Sequence, residues 1–437
     1  MIGARLTGFL YCDLAGIVRG RLVATADLER RVATGAGWVP ANLSLTPFGG
    51  IAEPNPHGPT GDVRLRPDPA TRVCVEFGEA ATPLEFFLCD VVGTDGGDWA
   101  GCPRTFLARA LHDLEREAGV RLLASFEHEF QLVDDGPPPL AFSLAAQRAV
   151  DPLGPIIVGA LTQAGVEPEF FLPEYGDHQF EVSCAPAEGL AAADRSVITK
   201  EVIREAARVT GRRVTFAPLR HPQAVGNGAH IHFSFLGPDG EPAIYDESRP
   251  GQLSPIAGQF AAGILTHAPA LAAFVTPGAS SFLRLGPHRW SSGAACLGER
   301  NRETLLRIAP VVEIAGHDAA RQHNLEFRAA DATACPYLVL GVLVRAGLNG
   351  VRQALECPPI LRDDPAALSP EELRQFGAPA MPGSLSEALD RLHEDETARG
   401  WLPPLLYDSY VGVKRAELSL LDGLDDAEIC RRYADVY

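Results

Sequence analysis

Four short segments of this chain carry reactive side chains on one face only. Strand alternation in LLASFEHEFQLV (122–133) puts Ser125, Glu127, Glu129 and Gln131 on one side and Phe126, His128 and Phe130 on the other. HQFEVS places Gln179 beside Glu181. AHIHFSF sets His230, His232 and Ser234 against Ile231, Phe233 and Phe235, and NLEFRAA sets Asn324, Glu326 and Arg328 against Leu325 and Phe327. A sheet with its polar face in water alternates in the same way. Solvent faces, however, usually carry Lys, Thr, Ser and Gln, whereas these carry Glu and His. Crowded carboxylates repel unless cations lie between them, and hard oxygen donors with an added imidazole suit Mg2+ or Mn2+. Four such faces converging would line a channel for two or three divalent ions. His128, on an apolar face, reads as a packed structural histidine.

The surrounding segments supply the elements that would position these faces. Residues 1–98 alternate apolar and polar over short spans (LTGFLYCDL, DVRLRP, RVCVEF), the pattern of a small, mostly β domain. A glycine-rich joint, GTDGGDWAG (93–101), leads into a larger domain spanning 99–437. There Pro103 opens a helix with Phe106, Leu107, Ala110, Leu111 and Leu114 at helical spacing. Asp194 is expected to cap a second helix, with Val197, Ile198, Val202, Ile203 and Ala206 on one face and Gly211 past its end. A third helix runs through YLVLGVLVRAGLNGV. Helices mixed with an antiparallel-style sheet make the class α+β. The uncharged stretch near 260–283 contains His267, Pro269 and Pro277 and reads as helix, turn, helix inside a protein.

Composition narrows the function classes. The 437 residues are 46% hydrophobic, enough for a large core or for two domains sharing one. A net charge of −18 with no basic run disfavours nucleic acid and anionic membranes as partners. Lys200 and Lys414 are the only lysines, and neither follows a glycine-rich loop, so the chain is not a P-loop NTPase. Phosphates would be handled by arginines and metals. GxGxxG, HExxH and GxSxG are also absent. Nine scattered cysteines without a CxxC pair, and a start lacking a signal-peptide pattern, point to reduced thiols in a cytoplasmic protein.

In order along the chain come DLAGIVRGR (13–21), FEHEFQL, EYGDHQFEV with the AAADR helix, VTFAP then GNGAHIHFSF, SFLRLGPHRW, ERNRETLLR and NLEFRAADATACPYL. This succession resembles the glutamine synthetase family over nearly the whole length. The resemblance implies a β-grasp-like N-terminal domain beside a large catalytic domain whose curved antiparallel sheet lines the active site. It also implies double-ring homo-oligomers, such as a dodecamer, with sites built between subunits. By the same likeness, Glu129, Glu174 and Glu181 would hold one metal, and Glu127, His230 and Glu326 a second that bridges the nucleotide phosphates. Glu169, His232, Ser234 and Arg307 would contact ATP. Arg284, Gly226 and Arg328 would bind glutamate, and Arg302 and Arg328 would stabilise the transferred phosphoryl group. Without the family context, Arg284 and Arg307 could equally be surface arginines.

The departures from the family pattern bear on the nucleophile. Trp290 stands where ammonia-using relatives carry a glutamate that binds and deprotonates ammonium, and tryptophan can do neither. The aspartate completing that pocket has no clear counterpart near ANLSLTPFGG, with Asn42 the nearest polar residue. Val225 replaces an asparagine that contacts glutamate, and Asn324 replaces a phosphate-binding arginine. The resemblance therefore implies a γ-glutamylamide synthetase, joining glutamate to a small amine other than ammonia through γ-glutamyl phosphate. Trp290 would pack on that amine, or merely plug a dead ammonium pocket. A true glutamine synthetase and a catalytically silent relative are the competing readings, and a metal-dependent hydrolase is a distant further one.

Overall fold

A computed structural model describes residues 5–78, 81–133, 136–286, 289, 294–312 and 314–437. The N-terminal part builds a mixed sheet from β1 (Leu6–Cys12), β2 (Val18–Ala24), β3 (Ala36–Trp38), β4 (Val63–Pro67), β5 (Val73–Val75) and β6 (Leu84–Gly93). Its order is β2-β1-β6-β4-β3 with β5 on β6, and the central pair β1/β6 is parallel while the other pairs are antiparallel. Alternation along β4 and β5 buries Val63, Leu65, Val73 and Val75, as expected of one-sided strands.

The larger part is a sheet of ten strands with helices on its apolar face. In chain order these are β7 (Arg121–Leu132), β8 (Pro168–Pro173), β9 (Gln179–Cys184), β10 (Ala187–Glu188), β11 (Val214–Thr215), β12 (Ala229–Leu236), β13 (Ala294–Glu299), β14 (Thr304–Ile308), β15 (Leu325–Phe327) and β16 (Ile360–Leu361). The order is β16-β13-β14-β15-β12-β7-β9-β8, with β10 and β11 also on β7. The pairs from β14 through β8 are antiparallel, as expected for the face that carries the reactive groups. At the other edge β13 pairs with both β14 and β16 in parallel, so the sheet is mixed rather than wholly antiparallel.

The helices Pro103–Ala118 and Pro336–Arg352 form as their periodicity predicts, each with proline in the first turn, where its missing N–H costs nothing. The helix Leu190–Val209 also forms, but Asp194 does not cap it. Gly189 occupies the cap, and Asp194 lies inside the helix with its carboxylate bound to Arg104 and to the Tyr337 hydroxyl. A buried guanidinium needs carboxylate partners more than a helix start needs a side-chain cap. Arg104 also binds Asp68 and Asp90 of the N-terminal part, so one buried cation ties the two regions together.

The expected helix, turn, helix forms as Pro255–Val275 and Ala279–Arg284 with Pro277 between them, and the first helix continues through Pro269. Tertiary packing overrides the ~3 kcal/mol cost of an internal proline. Gly263 and Gly350 face each other so closely that a Cβ on Gly263 would lie 2.1 Å from the Ala346 carbonyl oxygen, and one on Gly350 2.1 Å from that of Gln259. The helix is long and apolar enough to cross a membrane, yet most of it is buried against the helix Pro336–Arg352 and its neighbours.

Candidate functional site

Strand register gathers the reactive side chains. Glu129 on β7 stands opposite Glu181 on β9, and Glu127 stands opposite His230 on β12. His232 on β12 faces Glu326 on β15, which faces Arg307 on β14. Directly opposed residues hold their Cβ atoms about 4.5–5.5 Å apart, so this register turns scattered sequence positions into one continuous polar surface. It lines a cavity of about 830 Å³. The apolar side of β7 buries Phe126, His128 and Phe130. His128 hydrogen-bonds the Ser196 hydroxyl at 2.9 Å, and burial pushes its pKa down to about 3, so it is a neutral packed residue.

Glu127, His232 and Glu326 bring ligand atoms within 4.8 Å of one another. His230 Nδ1 lies 3.5 Å from Glu127 and 3.6 Å from Glu326, while His232 Nε2 lies 3.2 Å from Glu127 and 3.9 Å from Glu326. Both histidines thus reach the two carboxylates, and His232 is turned by its Nδ1, 2.8 Å from Asn324 Oδ1. Arg307 Nη1 donates to Glu326 Oε2 at 2.7 Å, Arg328 binds the other oxygen, and Arg328 Nε donates to the Arg302 carbonyl at 2.9 Å.

Glu129 accepts a hydrogen bond from the Gly228 amide at 2.7 Å and a longer one, 3.3 Å, from Gln179. Glu174 sits just beyond β8, where its own amide donates to the Gln179 carbonyl at 2.8 Å and closes the turn between β8 and β9. Arg284 is buried, with Nη2 donating to the carbonyls of Ala329 and Ala330 at 2.5 and 3.0 Å. Its stem lies against Gly226, where an added Cβ would come 2.4 Å from Arg284 Cγ.

Two electrostatic regimes divide the cavity. Burial opposes ionisation of Glu127 and Glu326, yet the neighbouring His232 and Arg328 hold them below the usual carboxylate range. Burial alone would lower the His232 pKa, but Glu127 and Glu326 raise it to about 9. On the other side, burial and neighbouring carboxylates push Glu174 up to about 7 and Glu181 up to about 9. For Glu181 the neighbours that shift it most (Glu127, Glu129, Glu174 and Glu326) are all acidic. A set of oxygen donors that repel one another when ionised fits a divalent cation, as does the Glu127, His232, Glu326 group.

The cavity wall thus includes Glu127, Glu129, Glu174, Glu181, Gly226, His230, His232, Arg284, Arg302, Arg307, Glu326 and Arg328. Two expected ATP contacts lie elsewhere. Glu169 is exposed at the point where β8 slips register against β9, and the Ser234 hydroxyl donates to the His323 carbonyl at 3.0 Å. Trp290 lies outside the described residues. The structure adds Gln179, already visible on the polar face of its strand, and the ring pair Phe142 and Tyr175, of which Tyr175 lies in the EYGDHQFEV segment and Phe142 in no motif.

The glutamine synthetase N-terminal domain model matches residues 2–99, and the glutamine synthetase catalytic domain model matches residues 100–431. The chain is 33% identical to a gamma-glutamylpolyamine synthetase, GlnA3, of Streptomyces coelicolor, covering 97% of this chain and 91% of that protein. It is 31% identical to a glutamine synthetase of Methanocaldococcus jannaschii, covering 86% of this chain and 82% of that one. A crystal structure described as a novel glutamine synthase homolog superposes with a TM-score of 0.92 at 47% identity, covering 100% of this chain and 99% of that one. A chain matched by both family models, with this sheet and this ring of carboxylates and arginines, belongs to the glutamine synthetase family and is an ATP-dependent glutamate ligase.

Proposed function

We propose that the enzyme joins the γ-carboxylate of glutamate to a small amine other than ammonia. A γ-carboxylate oxygen attacks the terminal phosphorus of ATP, the bridging O–P bond breaks, and ADP leaves with γ-glutamyl phosphate formed. The amine lone pair then attacks the acyl carbon. A C–N bond forms, the C–O bond to phosphate breaks, inorganic phosphate leaves, and the nitrogen loses a proton.

The observation that carries this reading is the convergence of Glu127, Glu129, Glu181, His230 and Glu326 with Arg284, Arg302, Arg307 and Arg328 on one cavity. In our assignment Glu129, Glu174 and Glu181 would hold one Mg2+ or Mn2+, and Glu127, His230 and Glu326 a second, with His232 in reach of the same carboxylates. The ions supply charge neutralisation around the triphosphate. Arg307 would bind the phosphates, and Arg302 and Arg328 would stabilise charge on the moving phosphoryl group, a role worth ~10³–10⁵ in rate elsewhere. Arg284, desolvated against the Gly226 loop, would grip the α-carboxylate of glutamate. Water must be kept from the acyl phosphate until the amine arrives.

The choice of a larger amine is supported by Trp290 in place of the ammonium-binding glutamate and by the likeness to a gamma-glutamylpolyamine synthetase. Polyamines, ethanolamine, alkylamines and anilines are the candidate acceptors. We assign a homo-oligomeric ring with sites shared between subunits, which light scattering on the purified protein tests. The function is tested by ADP release with glutamate and an amine panel. Amine-dependent turnover well above that with ammonium is expected. Robust ammonium turnover unchanged by Trp290→Ala would instead make the protein an ordinary glutamine synthetase.

A further inference from the structure

One wall of the cavity is unlike the rest. Phe142 and Tyr175 meet edge to face with ring centroids 4.7 Å apart and planes at 82°, and both line the cavity together with Leu172 and Val225. The rings are 47% and 58% exposed, so they form an open apolar surface rather than core.

The chain holds this surface in place at some conformational expense. Phe142 has a φ of +56°, a region disfavoured for a bulky side chain and usually tolerated only where the position does something. It ends the segment GPPPLAF, whose three consecutive prolines restrict the backbone. The segment is fixed at both ends. His178 hydrogen-bonds the Gly136 carbonyl at 2.9 Å, and the Ser143 hydroxyl both donates to the Leu140 carbonyl at 2.7 Å and caps the following helix.

Glutamate and a triphosphate present mainly charge, and the arginines suited to phosphate lie around β14 and β15, on the far side of β7 from β8. Phe142, Tyr175 and Leu172 lie at the β8 end, beyond the row of carboxylates, and the Tyr175 amide donates to Glu174 at 3.2 Å. An apolar wall beside carboxylates suits a ligand with a hydrocarbon body and a basic nitrogen.

We propose that Phe142 and Tyr175 form the subsite for the hydrocarbon chain of a primary aliphatic amine and determine the enzyme's preference for chain length. This inference rests on the amine-ligase reading above and deepens it. The experiment measures the KM of n-alkylamines from methylamine to pentylamine for wild type, Phe142→Ala, Tyr175→Ala and Tyr175→Phe, with glutamate and ATP saturating. In wild type the amine KM should fall about fourfold per added methylene, the equivalent of ~0.8 kcal/mol. In both alanine variants that dependence should shrink to less than about twofold, and Tyr175→Phe should retain it. The KM for glutamate and ATP should move little beside the change in amine KM. The rings are exposed, so thermal melts should show all variants folded.

A chain-length dependence identical in wild type and both alanine variants overturns the subsite. So does a rise confined to the ATP KM, which would make the wall a nucleotide-base contact, or a change of assembly state alone, which would make it a subunit interface. Wild-type turnover with ammonium and with no alkylamine overturns instead the amine-ligase reading on which the subsite depends.

Discussion

Glu129 and Glu181 stand directly opposite each other on β7 and β9, and burial together with the carboxylates of Glu127, Glu129, Glu174 and Glu326 raises the pKa of Glu181. Like charges packed this way destabilise an empty site and favour a cation in it. The first two predictions follow from that tension.

Replacing Glu181 by Gln removes a buried carboxyl that the metal-free protein must keep protonated near neutral pH. The metal-free protein should become more stable, with a melting temperature higher on the order of 2 °C. The stabilisation produced by Mg2+ should shrink, and ADP formation should fall by at least about 100-fold. Thermal melts with and without Mg2+, together with a coupled ADP assay, check both effects. A variant no more stable than wild type without metal would contradict the crowding.

The same crowding sets a pH dependence. Glu174 and Glu181 have folded-state pKa values raised to about 7 and about 9, above the unfolded value near 4.5. Between these limits the folded state keeps protons that the unfolded state has lost, so stability falls as pH rises from about 4.5 through about 9. Metal-free melts at pH 5.5 and 8.5 should show the higher temperature at the lower pH, with saturating Mg2+ reducing the difference. Metal binding near pH 7 should release protons, measurable by titration calorimetry in buffers of different ionisation enthalpy.

Asn324 holds His232 by a 2.8 Å hydrogen bond and lines up an imidazole that reaches Glu127 and Glu326. His232 touches two of the carboxylates assigned to a metal, and groups that orient such a site are typically worth 10–100-fold in affinity or activity. Asn324→Ala should therefore weaken activation by Mg2+ or Mn2+ about 10-fold or more, read as the metal concentration for half-maximal ADP release. An unshifted metal response would show that His232 needs no such support.

Gly226 leaves room for the Arg284 stem. In Gly226→Ala the new Cβ would fall 2.8 Å from both Arg284 Cδ and the Pro218 carbonyl oxygen, so the arginine must move. The glutamate KM should rise about 10-fold or more while the ATP KM changes far less. Initial rates with each substrate varied in turn test this.

Arg104 is buried with three carboxylates from three segments, Asp68, Asp90 and Asp194. Breaking a buried charge network from the cation side typically costs about 3–5 kcal/mol. Arg104→Met should destabilise the protein by that amount in chemical denaturation. Asp68→Asn, at the more exposed end, should cost much less.

The sequence alone determined which side chains share a strand face, because strand alternation is a local property. The period of two puts Glu127 with Glu129, and His230 with His232, whatever surrounds them. Local sequence likewise marked the helix Pro103–Ala118, where apolar spacing and an initial proline agree, and the apolar run that forms Pro336–Arg352. Only tertiary structure decided which strands are neighbours, and thus that Glu129 meets Glu181 and that His232 comes as close to Glu127 as His230 does. Pairing across tens or hundreds of residues depends on the whole core closing, and no local pattern encodes it. Long-range partners also overrode local rules, drawing Asp194 from a helix cap to Arg104 and carrying a helix through Pro269. The Phe142–Tyr175 wall was hidden in sequence because aromatic residues read as core, and only the folded chain shows that these two were left facing an open cavity.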